Sequence, residues 1–479
     1  MRGFLDALSF AITVSHVSAA ALMAAETQRP NVVLIMTDNH SPWTLGCYGN
    51  PEIRTPHIDR MAREGVRFTG GYSSNAVCSP TRATWLTGLI PSQHGVHDWL
   101  ASGRAQMGPD AYGTIVEFRS LPEILAEHGY VCGLSGKWHL GDNLHPQEGF
   151  TFWITKPHGA TGSLYSTQVI ENGKIHTQPG YATEYWTRRG IEFINESRDA
   201  PFFLFLAYNG PYGHSPPMAN PARNRHAAYY ADKEMTSFPR EGVYPGLIYD
   251  RKLVGNANAA RSYAAEVSGI DDGVGEILRT LEENGLDRNT LVVFTADQGM
   301  ACGHGGCWGM GAHTRPLTGF DWTMHVPLIY RHPGEIPPGR TSDLLVSNYD
   351  LMPTLLAYLG LGHKMPESPP SPGRDYSAVL RGENPGPWDD VVFFEYVNLR
   401  SIRTREWKYI ERFQQKPNEL YHLADDPGER ENLVDRPAHA GIQAELRRRL
   451  HAFFDRYRDP QYDLWRGGRS KSRLTPTGG

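Results

Sequence analysis

Three short apolar runs along the chain break off abruptly into polar residues. Asn31–Met36 ends at Thr37, Asp38 and Asn39, Phe202–Leu206 gives way to Tyr208 and Asn209, and Leu291–Phe294 gives way to Thr295, Asp297 and Gln298. Runs of this length, rich in β-branched and aromatic residues, predict strands buried on both faces, as in a parallel sheet covered by helices. Tyr130–Gly136 predicts a further strand that delivers Lys137 and His139. Between these runs the period changes. Thr55 is a helix N-cap with Pro56 at the first helical position and Gly65 as the stop, and Ile58, Met61 and Ala62 form the inward stripe. Tyr263, Val267, Ile270, Val274, Ile277, Leu278 and Leu281 recur every three or four residues until Asn284-Gly285 ends a second helix. Strand alternating with helix predicts an α/β class: a doubly wound, largely parallel sheet flanked by helices, which binds ligands beyond the carboxyl ends of its strands. That rule gathers Asp38, Asn39, Asp297, Gln298, Lys137 and His139 on one rim.

From Thr155 to Tyr249 the pattern is interrupted by Pro, Gly, His and Asn, and only the Phe202 strand stands out. The rest reads as surface loops shaping a pocket. The Pro-rich stretch Pro366–Pro372 precedes a different regime. Val391–Tyr396, Ser401–Ile410 and Glu419–Leu423 read as antiparallel strands and His439–Tyr457 as a helix, so a smaller C-terminal α+β subdomain carrying a short antiparallel sheet is expected. The organisation expected is a signal peptide over residues 1–25, a catalytic domain over 29–375 and the C-terminal subdomain over 385–479.

Composition narrows the function. A hydrophobic share of 40% against 21% charged residues describes a globular chain, and a net charge of -5 gives no electrostatic case for nucleic acid, which leaves a small molecule or saccharide as partner. The N-terminal segment runs into an Ala-rich stretch ending at Ala24-Ala25, which predicts export to the periplasm or beyond; no later segment is apolar enough to span a bilayer. Five cysteines, Cys47, Cys78, Cys132, Cys302 and Cys307, leave at least one unpaired in an exported protein. Cys302, His304 and Cys307 lack a fourth ligand at zinc-like spacing and read as a Gly-rich loop.

One segment changes the picture. Cys78-Ser79-Pro80-Thr81-Arg82 resembles the signature at which sulfatases have a cysteine oxidised to formylglycine (3-oxoalanine) by a formylglycine-generating enzyme. The likeness continues in order through Asn31–Asp38, Leu45–Gly49, Thr55–Asp59, Gln93-His94-Gly95, Gly136–Gly141, Phe294–Gly299 and His325–Ile329, then Trp407–Tyr409, Glu419–Tyr421 and Asp426-Pro427. The chain therefore resembles the type I sulfatases, of the alkaline phosphatase-like superfamily, over nearly its whole length.

This resemblance implies hydrolysis of a sulfate monoester, plausibly on a carbohydrate, by a hydrated aldehyde at residue 78. A serine that attacked sulfur would be left as a sulfate ester, whereas the hydrate keeps a second hydroxyl whose deprotonation expels sulfate. By residue-to-residue match, Asp38, Asn39, Asp297, Gln298 and modified Cys78 hold a cation. Hard oxygen donors suit Ca2+, with Mg2+ or Mn2+ as alternatives. The family commonly has an acid at Asn39 and asparagine at Gln298, so this site has one carboxylate fewer than usual. Arg82 adds a permanently charged, planar donor against the repulsion of an anionic substrate; Lys137 and His139 match the positions that hold sulfate and serve the hydrated aldehyde, with His139 as the base, and His214 matches the acid for the departing alcohol. Met310 stands where lysine is usual; a thioether supplies neither charge nor proton, so either His304 or His313 takes part of its role or turnover is slow. His94 lines the pocket or is structural. Two rivals are a phosphonate or phosphate-ester hydrolase of the same superfamily and a non-catalytic sulfated-glycan binding protein.

Overall fold

The computed structural model describes residues 29–101, 105–244, 252–414 and 417–474; the signal peptide expected over 1–25 lies outside them. In chain order the first strands are β1 (Asn31–Asp38), β2 (Val66–Phe68), β3 (Gly71–Tyr72), β4 (Val131–Gly136), β5 (Phe150–Thr155) and β6 (Tyr165–Glu171). They are followed by β7 (Lys174–Tyr181), β8 (Phe202–Pro211), β9 (Thr290–Ala296), β10 (Leu328–Arg331), β11 (Arg340–Ser342) and β12 (Val346–Ser347). Ten of these form one sheet in the order β11-β2-β10-β9-β1-β8-β4-β5-β6-β7. Its centre, β9-β1-β8-β4-β5, is parallel throughout, and antiparallel strands appear only towards the edges.

The alternation of side chains along β1 explains why both faces carry helices. Val33 and Ile35 belong to one core with α1 (Pro56–Arg63), α4 (Ala182–Ser197) and α5 (Ala257–Glu283). Val32, Leu34 and Met36 belong to another, with α2 (Cys78–Thr87), α3 (Leu121–Glu127) and α6 (Leu351–Tyr358). Both sets are apolar because both faces are dry, so the strand reads as a continuous run. Ile58, Met61 and Ala62 face inward from α1 as expected.

Two expectations need correction. The stretch after Thr155 is not mainly loop: it contains the β6–β7 hairpin and the 16-residue α4. The hairpin is an exposed edge with mostly polar side chains, so it carries no apolar run. In α4 the inward residues Ala182, Trp186, Gly190, Phe193 and Ser197 do recur at three and four, but small and hydroxylic side chains dilute the stripe. Ser401–Ile410 is two strands, with a turn at Arg405-Glu406 between β14 and β15 in the sheet β13 (Val391–Tyr396), β14 (Leu399–Thr404), β15 (Trp407–Arg412) and β16 (Glu419–His422). This sheet packs against α7 (Ala440–Tyr457) through Leu446, Leu450 and Phe454. The helix α2 begins at Cys78 itself.

Candidate active site

The rim predicted from strand ends exists. Asp38 closes β1, and Asp297 and Gln298 follow β9, the strand paired beside it, while Lys137 follows β4 and residue 78 is carried in by α2. Oxygen or sulfur atoms of Asp38, Cys78 and Asp297 all lie within 4.8 Å of one another, and this is the one such group of three potential metal ligands among the described residues. Cys302, His304 and Cys307 do not form another.

Turning the backbone sharply at the strand ends is what aims these side chains inward. Asn39, His139 and Tyr212 all have left-handed backbone, with φ of 60°, 63° and 64°, an arrangement that a non-glycine residue adopts only when its surroundings enforce it. For Asn39 the enforcement is visible: its N–H donates to Asp297 Oδ1 at 3.0 Å, its side chain donates to the Tyr212 carbonyl at 2.7 Å, and its own carbonyl accepts from the Tyr263 hydroxyl at 2.7 Å. Gly136 permits the corresponding turn after β4; a Cβ there would sit 1.9 Å from the Ala207 carbonyl oxygen.

The electrostatics are those of a buried ion cluster. The Arg82 guanidinium, fully buried, donates to Asp297 Oδ2 at 2.9 Å and to the Lys137 carbonyl at 2.8 Å, and lies 3.7 Å from Asp38 Oδ2. Lys137 Nζ pairs with the same Asp38 oxygen. Burial and repulsion from Asp297 push Asp38 above the usual carboxylate range, against the pull of Lys137 and Arg82. Lys137 is held above its ordinary value because Asp38 and the Cys78 side chain outweigh its own desolvation. The Cys78 thiol donates to Asp38 Oδ1 at 3.7 Å and is pushed up to about 12, first by burial and then by Asp38. It lies at the first turn of α2, whose unpaired N–H groups carry about half an elementary positive charge.

Several buried polar atoms here have no partner among the described residues: Arg82 Nε, His139 Nδ1, His214 Nε2 and Gln298 Oε1. Such atoms are rare in a core and call for a ligand. His139 Nε2 donates to the Leu100 carbonyl, 3.0 Å away, which leaves Nδ1 as the unprotonated nitrogen. Burial, then Lys137, holds His139 well below the ordinary imidazole value. His214 is likewise lowered by burial, then by His313, whose ring centroid is 4.5 Å away edge-on. Gln298 Nε2 donates to Asn39 Oδ1, to Cys78 Sγ at 3.3 Å and to Met310 Sδ at 3.7 Å. Met310 and His313 therefore belong to the same cluster.

Two expected residues sit elsewhere. Both ring nitrogens of His94 are spent within the framework, with Thr84 Oγ1 at 3.2 Å and the Val96 N–H at 3.1 Å. His304 pairs with Glu241 at 3.3 Å and packs against Trp43 on a partly exposed surface, so its partners are outside the cluster. One residue was missed. Lys156 follows β5 as Lys137 follows β4, and recognising β5 as a parallel strand would have found it.

Two carboxylates and a lysine at the strand tips of a doubly wound sheet thus surround a buried thiol, with a buried arginine beside it on α2. The sulfatase family model matches residues 30–361, and the C-terminal model of N-sulphoglucosamine sulphohydrolase matches residues 318–456. The N-acetylglucosamine-6-O-sulfatase of Bacteroides thetaiotaomicron is 27% identical, over 94% of this chain and 90% of its own. The N-acetylgalactosamine-6-sulfatase of Rattus norvegicus is 33% identical over 72% of this chain and 65% of its own. A solved structure in complex with its substrate D-glucosamine-2-N,6-O-disulfate superposes with a TM-score of 0.74 at 24% identity, covering 90% of this chain and 98% of its own. The chain belongs to the sulfatase family and is a sulfuric ester hydrolase.

Proposed function

We propose that the protein removes sulfate from a sulfated carbohydrate, with an O-sulfated amino sugar as the substrate class, by formylglycine chemistry at residue 78 beside a bound calcium ion. The observation that carries this is the convergence of Cys78, Asp38 and Asp297 within 4.8 Å at the start of α2. The substrate class is supported by the amino-sugar sulfatases that resemble the chain over most of its length.

The donor set fits a hard cation. Asp38, Asp297, Asn39 and the partnerless Gln298 Oε1 are oxygen donors, and two packed carboxylates, one of them raised by the other, gain from a positive ion between them. Calcium, when bound, would polarise the sulfate oxygens and stabilise a hydroxyl of residue 78 as an anion. The formylglycine hydrate supplies one hydroxyl to displace the alcohol from sulfur and a second whose deprotonation releases sulfate.

The chain's own residues do the rest. Arg82 and Lys137 hold anionic oxygens with fixed charge, and the dipole of α2 adds to them. His139, kept neutral by burial, takes the second hydroxyl's proton at Nδ1. His214 serves the departing alcohol through Nε2: burial, then His313, keep the ring neutral in the free enzyme, and the anionic substrate favours its protonation. The catalytic unit spans 29–375 and the C-terminal unit 385–479, in a protein exported to the periplasm or beyond and matured by a formylglycine-generating enzyme.

The test is peptide mass spectrometry of residue 78 in active enzyme, paired with rates on aryl sulfate and aryl phosphate esters. The expected outcome is aldehyde at residue 78, preference for the sulfate ester and no turnover by Cys78→Ala. Fully active enzyme carrying a free thiol would refute the reading.

A further inference from the structure

Lys156 is 4% exposed, yet it forms no ion pair among the described residues. Its ammonium donates to the Ala160 carbonyl at 2.8 Å and to Thr161 Oγ1 at 3.0 Å, two neutral acceptors for three N–H donors. A buried cation without a counter-ion is costly and rare. The other buried cations of this region are balanced: Lys137 by Asp38, Arg82 by Asp297.

Its place in the sheet brings it to the site. β4 and β5 are parallel neighbours, with Ser135 paired to Ile154. Two residues further along each strand stand Lys137 and Lys156, so adjacent strands release a lysine at equivalent points of the same rim. The loop from Lys156 to Thr161 also wraps the proposed base: Gly159 packs so closely on His139 that a Cβ would lie 2.1 Å from its ring, and Thr161 Oγ1 accepts from Asn209 Nδ2 at 3.4 Å near the end of β8. Burial, then Lys137 and Arg82, bring the Lys156 ammonium down to about 7 against the opposing pull of Asp38 and Cys78. Across the cluster, Met310 contributes an uncharged thioether.

We propose that Lys156 is a substrate-binding residue of this enzyme, its ammonium completing the sulfate pocket beside Lys137 and supplying the positive charge that Met310 does not. This rests on the sulfatase reading given above. The anion of the bound sulfate group is the missing counter-ion, held through the third N–H while the other two stay on Ala160 and Thr161.

The test is calorimetric titration of inorganic sulfate into the full-length enzyme and its Lys156→Met and Lys156→Arg variants, with thermal melting and steady-state kinetics on an aryl sulfate. Losing one charge-assisted hydrogen bond should weaken sulfate binding by about tenfold or more in Lys156→Met. The loss should fall mainly on KM, Lys156→Arg should retain most of the affinity, and both should melt near the wild type. Unchanged sulfate affinity in a folded Lys156→Met variant overturns the proposal and leaves the sulfatase reading intact. Equal losses in both variants together with a lower melting temperature also overturn it, since a lysine that only pins its loop predicts that result. A wild-type enzyme that neither binds sulfate nor hydrolyses the ester takes down both.

Discussion

Cys78 is desolvated at the first position of α2, and its thiol titrates far above neutrality. An unmodified Cys78 is thus a protonated thiol and a weak nucleophile, in keeping with a residue whose reactivity comes after conversion. Its neighbour Asn39 is the position where charge count can be tested without catalysis. Asn39→Asp adds a third carboxylate to Asp38 and Asp297, so calcium affinity measured by calorimetry should rise by about tenfold or more, roughly 1.4 kcal/mol, while the metal-free variant melts lower than wild type. Metal analysis that finds only zinc in active wild-type enzyme would contradict the oxygen-donor argument. His139 gives a second test. Because burial and Lys137 depress it, the neutral, base-competent ring persists at pH values where an ordinary imidazole is already protonated. The acidic limb of kcat/KM should therefore lie below about pH 6.5, the usual imidazole value. A limb above that value would assign the base elsewhere.

At the scale of elements, the site depends on how each strand ends. β1, β4 and β8 leave the sheet through Asn39, His139 and Tyr212 in left-handed backbone, and the loop after β5 presses Gly159 onto His139. Gly159→Ala places a methyl where the imidazole stands, so the ring must leave the Leu100 carbonyl. The expected outcome is a fall in kcat of about a hundredfold, the scale of a misplaced general base, with the melting temperature nearly unchanged because the loop lies outside both main cores. The strands themselves were legible because their apolar runs stop at chemistry-bearing residues, and α5 because its stripe is unbroken. The β6–β7 hairpin was not: an exposed edge has no dry face to write an apolar pattern, and missing it hid β5 and with it Lys156.

Across the whole molecule, the C-terminal sheet is part of the wall of the site. Val392, Phe394 and Tyr396 of β13 share a core with Val77, Cys78 and Met310, and the Glu395 carbonyl accepts from Asn75 just ahead of α2. Arg400 locks this contact, pairing at 2.7 Å with both Glu395 and Asp463 in a nearly dry setting, while Glu395 also accepts from the Ser92 N–H at 2.8 Å. Arg400→Met would leave the buried Glu395 carboxylate without its ion pair, while Asp463 keeps Arg458, and should destabilise the protein by about 3 kcal/mol in urea unfolding. Activity should fall with it, because the turn carrying residue 78 loses its support. The amino-acid order by itself determined the sheet class, the family and the cluster of Asp38, Asn39, Cys78, Arg82, Lys137, Asp297 and Gln298. A strand buried on both faces must be apolar and must end in whatever the rim needs, so both facts are written in consecutive residues. Only the tertiary structure decided that His94 is spent on Thr84 and Val96, that His304 faces Glu241, that His313 meets His214, and that Lys156 lies buried without a counter-ion among the described residues. Each of these depends on which side chains meet across gaps of tens or hundreds of residues, and packing alone sets those meetings.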